Sequence, residues 1–164
     1  MKLLAVLALC IAGASAFCDN AGPIKEAWEH IKHDEVEILY TVFKAYPDMQ
    51  AKFPKFTGKD LETLKGTADF AIHATRIFRY FTEVIELLGN DANIPAIKTL
   101  LNQLGKEHRE RGIPAKQFDE FFAALHTYLP THVKWNDNVE AAWLCDEREV
   151  RKILNSALEG HPVE

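Results

Sequence analysis

Apolar side chains recur three and four residues apart along most of this chain, and that period limits the folds open to it. Phe70, Ala74, Ile77 and Phe81 stand at i, i+4, i+7 and i+11, which is one face of a helix. The same spacing joins Val36, Leu39, Tyr40 and Phe43, then Ile97, Leu100, Leu101 and Leu104. Phe118, Phe121, Phe122, Leu125, Tyr128 and Leu129 form another such stripe. No alternating run of strand length, flanked by turns, competes with them. The stripes break at Pro47, at Pro54 and Gly58, at "GND" from Gly89 and at "RERG" ending on Gly112. Pro130 should end or bend its helix, because proline lacks the amide that a helix interior needs. Pro23, Pro95 and Pro114 stand where first turns tolerate proline. The pattern predicts an all-α domain of about seven or eight helices. Its first helix runs from Gly22 through His33 and its last from about Val139 to Leu158, with Trp28 and Trp143 as anchors between them.

The chain opens outside that domain. Met1 and Lys2 precede "LLAVLALCIAG", and "ASA" closes the segment at Ala16. A basic start, a short apolar run and a small-x-small site predict a secretory signal peptide over residues 1–16, removed before Phe17. The apolar run falls short of the roughly 20 residues of a membrane span, so no membrane is expected for the mature form. Residues 17–164 remain as a single domain of 148 residues (164 − 16). Loss of Lys2 takes the formal charge from −5 to −6. An acidic chain without a basic cluster excludes a nucleic-acid partner and suits an extracellular fluid. Cys10 leaves with the signal, so Cys18 and Cys145 remain. The seven histidines lack the Cys/His spacing of structural zinc.

Two histidines break the apolar pattern. His73 lies on the Phe70–Phe81 stripe, and His108 continues the face of Leu101 and Leu104. Each alone reads as a core histidine hydrogen-bonded to a neighbour, since buried polar groups find partners. Together, on separate helices across a break, they can flank one pocket for a flat, mostly apolar metal cofactor. Haem fits, because histidine is a standard axial ligand of its iron. Phe53 and Phe56, large rings on an irregular corner, either close such a pocket or form a satellite cluster under a loop. His30 and His33 fall near the end of the first helix, where the dipole favours positive charge. His126, His132 and His161 read as surface residues.

"ILYTVFKAYPDMQAKFPKFTGKDLETLKGTADFAIHATRIF", then "GNDANIPAIKTLL" and "KEHRERGIPAKQFDEFFAALHTYL", closely resemble the secreted haemoglobins of midge larvae, which are globins. The likeness runs from about Trp28 to Trp143 and includes the six-residue spacing from Pro47 to Phe53. It implies a globin fold around one haem pocket, haem b (iron protoporphyrin IX) as cofactor, and dioxygen as ligand. By that resemblance His108 matches the proximal iron ligand and His73 the distal histidine. Phe53 matches the haem-packing phenylalanine, Phe56 the second ring of its corner, and Ile77 the apolar residue one turn beyond His73. Leu104, Ile113 and Phe118 match haem-contacting positions on the proximal side, and Leu39 the distal roof. The separation of 35 between the histidines (108 − 73) reflects the "GNDANIP" segment, which some midge haemoglobins share.

The implied function is reversible dioxygen binding, for transport and storage in extracellular body fluid (haemolymph), by a non-enzyme that is a monomer or homodimer. The rivals are a haem redox scavenger, of nitric-oxide dioxygenase or peroxidase type, and a haem-poor diverged globin. His73 either faces the gas or is itself a sixth ligand. Arg76 either covers a haem propionate and solvent or swings in as a second donor. Past Trp143 the likeness weakens, and "CDERE" places charge where thinner packing of the last helix is expected. Cys18 and Cys145 would then staple the N-terminus to that helix, with free thiols or an intersubunit bond as alternatives.

Overall fold

The computed structural model describes residues 17–18 and 20–164. The expected signal peptide over 1–16 lies outside these residues. The chain runs α1 (Gly22–Glu29), α2 (Glu35–Ala45), α3 (Pro47–Gln50), α4 (Leu61–Lys65) and α5 (Ala68–Leu87). A 3₁₀ turn (Asp91–Asn93) leads to α6 (Ile94–Glu110), α7 (Ala115–His132) and α8 (Asp137–Leu158). Among the described residues there is no strand, and no helix is long and apolar enough to cross a membrane.

Local chemistry sets the boundaries. Thr67 caps α5 by accepting from the Phe70 amide at 3.3 Å, and Asp60 caps α4 by accepting from Thr63 at 2.8 Å. Asn136 accepts from the Asn138 and Val139 amides to open α8. Pro95 occupies the first turn of α6, and Gly112 follows that helix at φ 68°, a left-handed position that glycine adopts freely. Two boundaries depart from the sequence reading. α1 stops at Glu29, and residues 30–33 form turns stitched by Ile31 and Lys32 amides to the Trp28 carbonyl. α7 continues through Pro130 to His132. Pro130 lies so close to the end of α7 that its missing donor leaves the long run before it undisturbed.

The core is aromatic. Phe43 meets Phe53 at 5.0 Å and Phe70 at 5.9 Å between ring centroids, binding α2 to the corner and to α5. Phe81 joins Trp28 (5.2 Å) to Trp143 (6.2 Å), so the two tryptophans do anchor α1 and α8, through a ring of α5. The last helix is better seated than its charged sequence predicts. Its inward stripe includes Val139, Trp143, Val150, Ile153, Leu154 and Ala157, all buried. α6 and α8 cross in close contact at Gly105, where an added Cβ would stand 2.5 Å from Ala157 Cβ. A disulfide joins Cys18 to Cys145, with Cα atoms 6.1 Å apart, and ties the N-terminal segment to α8.

Candidate functional site

A cavity of about 780 Å³ opens between α5, α6 and α7 and the corner after α3. α5 contributes His73, Arg76 and Ile77 to its wall, and α6 contributes Leu104 and His108. Leu39, Phe53, Ile113 and Phe118 complete the set expected around it. The two stripes that carried an imidazole each therefore face the same space.

His108 is fixed on two sides. Its Nδ1 shares a hydrogen bond with the Leu104 carbonyl at 2.9 Å, which makes Nδ1 the protonated donor and leaves Nε2 with its lone pair. The Phe118 ring stands edge-on to the imidazole at 4.9 Å. Burial pushes the His108 pKa below the ordinary imidazole value, opposed by the Leu104 carbonyl, with Arg111 adding to the depression. A neutral imidazole with one free nitrogen is the form that can bind a metal.

His73 sits in a cage of rings. Phe53 lies at 4.8 Å and Phe56 at 5.5 Å, both nearly perpendicular to the imidazole. Burial also holds His73 below the ordinary value, with Arg76, Lys55 and Arg111 contributing repulsion. Among the described residues its ring nitrogens have no hydrogen-bond partner. Phe56 differs from the expectation: it is buried behind Phe53 and outside the cavity wall, so it braces His73 instead of facing the space. Arg76 is exposed at the rim, where Lys52 and Arg111 also reach the opening.

Several residues that hold this site carry no signal in the apolar pattern. Gln50 is buried and donates through Nε2 to the Phe56 and Lys59 carbonyls, both at 2.9 Å, which pins the corner that presents Phe53. Tyr80, on the cavity wall, donates to the Leu100 carbonyl and links α5 to α6. Burial drives its phenol pKa upward. His126, expected at the surface, is half-buried in the α7–α8 seam. Its Nε2 lies 2.6 Å from Glu147, whose same oxygen accepts from the Trp143 indole at 2.8 Å. His132 and His161 are exposed as expected.

The cavity does not stop behind the histidines. Its lining on α5 continues from His73 to Ile85, 12 residues and so about 18 Å of helix at 1.5 Å each, and includes Leu88 just past the helix end. Ile24, Leu101, Asp146 and Leu154 also line it.

The globin family model matches residues 36–144. Globin CTT-Y of Chironomus thummi piger is 64% identical over 160 residues, 97% of this chain and all of that one. Among solved structures, a haemoglobin component (TA-VII) from Tokunagayusurika akamusi has 43% identity and a TM-score of 0.81, covering 85% of this chain and 95% of that one. A hexa-coordinate haemoglobin of Drosophila melanogaster has 26% identity and a TM-score of 0.75, covering 84% and 92%. Eight α-helices among the described residues, a shared cavity with one imidazole on α5 and another on α6, and likeness over nearly the whole chain lead to one conclusion: this chain belongs to the globin family.

Proposed function

We propose that this protein holds haem b between His108 and His73 and binds dioxygen reversibly, as a carrier secreted into extracellular fluid. One observation carries the reading. His108 commits Nδ1 to the Leu104 carbonyl inside an apolar cavity, so Nε2 is the nitrogen left for an iron, while a second imidazole shares the same space. The names of the relatives, a haemoglobin component among them, support it.

The residues fit the group. Leu39, Phe53, Ile77, Leu104 and Phe118 offer apolar walls to a flat macrocycle, and Lys52, Arg76 and Arg111 stand at the rim where its carboxylates would meet cations. Bound haem would supply the ferrous iron at which a diatomic gas is taken up and released. His108 would hold it by Nε2, the Phe118 ring keeping the imidazole in place. His73 would donate a hydrogen bond to the gas, which is worth about 1–3 kcal/mol toward a charged acceptor, or roughly 5- to 150-fold in affinity. The rings of Phe53 and Phe56 restrict His73. Arg76 screens the rim and, by its charge, favours neutral His73.

Loading the protein with haem and recording ferrous, oxygenated and carbonmonoxy spectra tests this. A stable oxygenated spectrum that reverses under vacuum is expected, and His108→Ala is expected to lose the haem. Failure of the parent chain to take up haem overturns the reading, and rapid turnover of peroxide or nitric oxide replaces it with a redox enzyme. The unpartnered nitrogens of His73 also favour a second coordination state, in which His73 is the sixth ligand. Sharply split visible bands in the deoxy ferrous spectrum would identify it.

A further inference from the structure

The direction in which His73 points depends on a corner that little else fixes. Its ring nitrogens have no hydrogen-bond partner among the described residues, so the edge-on contacts with Phe53 (4.8 Å) and Phe56 (5.5 Å) orient the imidazole. Of residues 51–60, only Phe53 and Phe56 are not exposed. Phe56 also packs on Phe43 at 6.2 Å and on Phe70 at 5.5 Å, but apolar packing attracts without direction and tolerates sliding. The directional restraint comes from Gln50, buried at the end of α3. Its backbone carbonyl accepts from the Phe53 amide at 3.1 Å. Its Nε2 donates to the carbonyls of Phe56 and Lys59, both at 2.9 Å.

Both targets are carbonyls, so the nitrogen of the side-chain amide must face them, and both of its protons are used. An amide supplies two donors without a charge, which suits a buried position. Glutamate would meet the two carbonyls with oxygens, and methionine would keep the bulk and offer no proton. We propose that Gln50 is a positioning residue for His73. Through the corner it holds Phe53 and Phe56 against the imidazole, and so keeps His73 directed into the cavity. The inference rests on the reading of His73 as the donor to a bound gas. Gln50 is not part of the cavity wall, so its effect on a ligand passes through His73.

The test compares the parent, Gln50→Met, His73→Leu and the double variant as haem-loaded carbonmonoxy proteins. A donor beside the bound gas lowers its stretching frequency, so the infrared band reports where His73 points. The parent is expected to show one main band. Gln50→Met should add a second at higher frequency, where His73→Leu absorbs, and should leave the His73→Leu band unmoved in the double variant. A Gln50 that merely stabilises the fold would lower the melting temperature and leave the parent band unchanged, which overturns the proposal. Proton Overhauser contacts between the His73 and Phe53 rings give a second readout, taken on the full chain whether or not haem is bound. They should weaken in Gln50→Met, and equal contacts overturn the proposal. Should the parent fail to take up haem, the carrier reading falls and the ring contacts still decide this one. If Gln50→Met folds poorly, the parent alone decides: slow exchange of both Gln50 side-chain amide protons is expected, and free exchange of either overturns the proposal.

Discussion

Asp146 carries one paired oxygen and one bare one in an apolar wall, and its ionisation works against the fold. Burial raises its pKa, and the Cys18 amide only partly opposes this. A folded pKa above the unfolded one means that the associated stability is present in acid and lost as pH rises through the folded value. The parent protein should therefore lose stability relative to Asp146→Asn as pH climbs above the ordinary aspartate range. Urea midpoints across that range check this, and parallel curves would refute it. At His73, replacement by leucine should lower oxygen affinity by roughly 5- to 150-fold while leaving haem bound, as read from oxygen equilibrium curves. The two histidines were legible because an imidazole on an apolar stripe is anomalous. Asp146 was not, because "CDERE" reads as a charged turn. The clue is its spacing of three from Trp143 and four from Val150, which sets it on the inner face of α8. Gln50 offers no such clue, since its partners are carbonyls that come near only once the corner has folded.

Among the elements, long helices declared themselves and short ones did not. α5, with 20 residues, shows many turns of its apolar stripe. α4 has five residues and one buried side chain, too few to display a period, and Asp60 as its cap is the only local sign. The early end of α1 follows from carbonyl bonding in the turn after Trp28, which composition does not encode. α6 and α8 come close together at Gly105. Gly105→Ala should cost about 1–3 kcal/mol by overpacking against Ala157, even though alanine is the better helix former. Adding Ala157→Gly should recover part of that loss, and thermal melts of the single and double variants would decide it. Thr67→Ala should cost about 1 kcal/mol through loss of the α5 cap.

For the whole molecule, the all-α architecture was readable from period and punctuation, and the globin fold from the resemblance. The expectation of a poorly packed last helix was not met, because α8 hides two acidic side chains, Asp146 and Glu149, in its buried stripe. Local charge is a weak guide where a helix has partners on its inner side. The disulfide spans 127 residues of sequence. Its loss should lower stability by roughly 2–4 kcal/mol, seen as a reductant-dependent drop in the urea midpoint, and the monomer mass should rise by two daltons on reduction. That bond also makes nearly the entire domain a covalent ring. A protease that clips the exposed corner after Lys52 would produce two fragments still tethered to each other. Such nicked protein would run as one species on a denaturing gel until a thiol is added, so the cut would pass unnoticed in any assay performed without one.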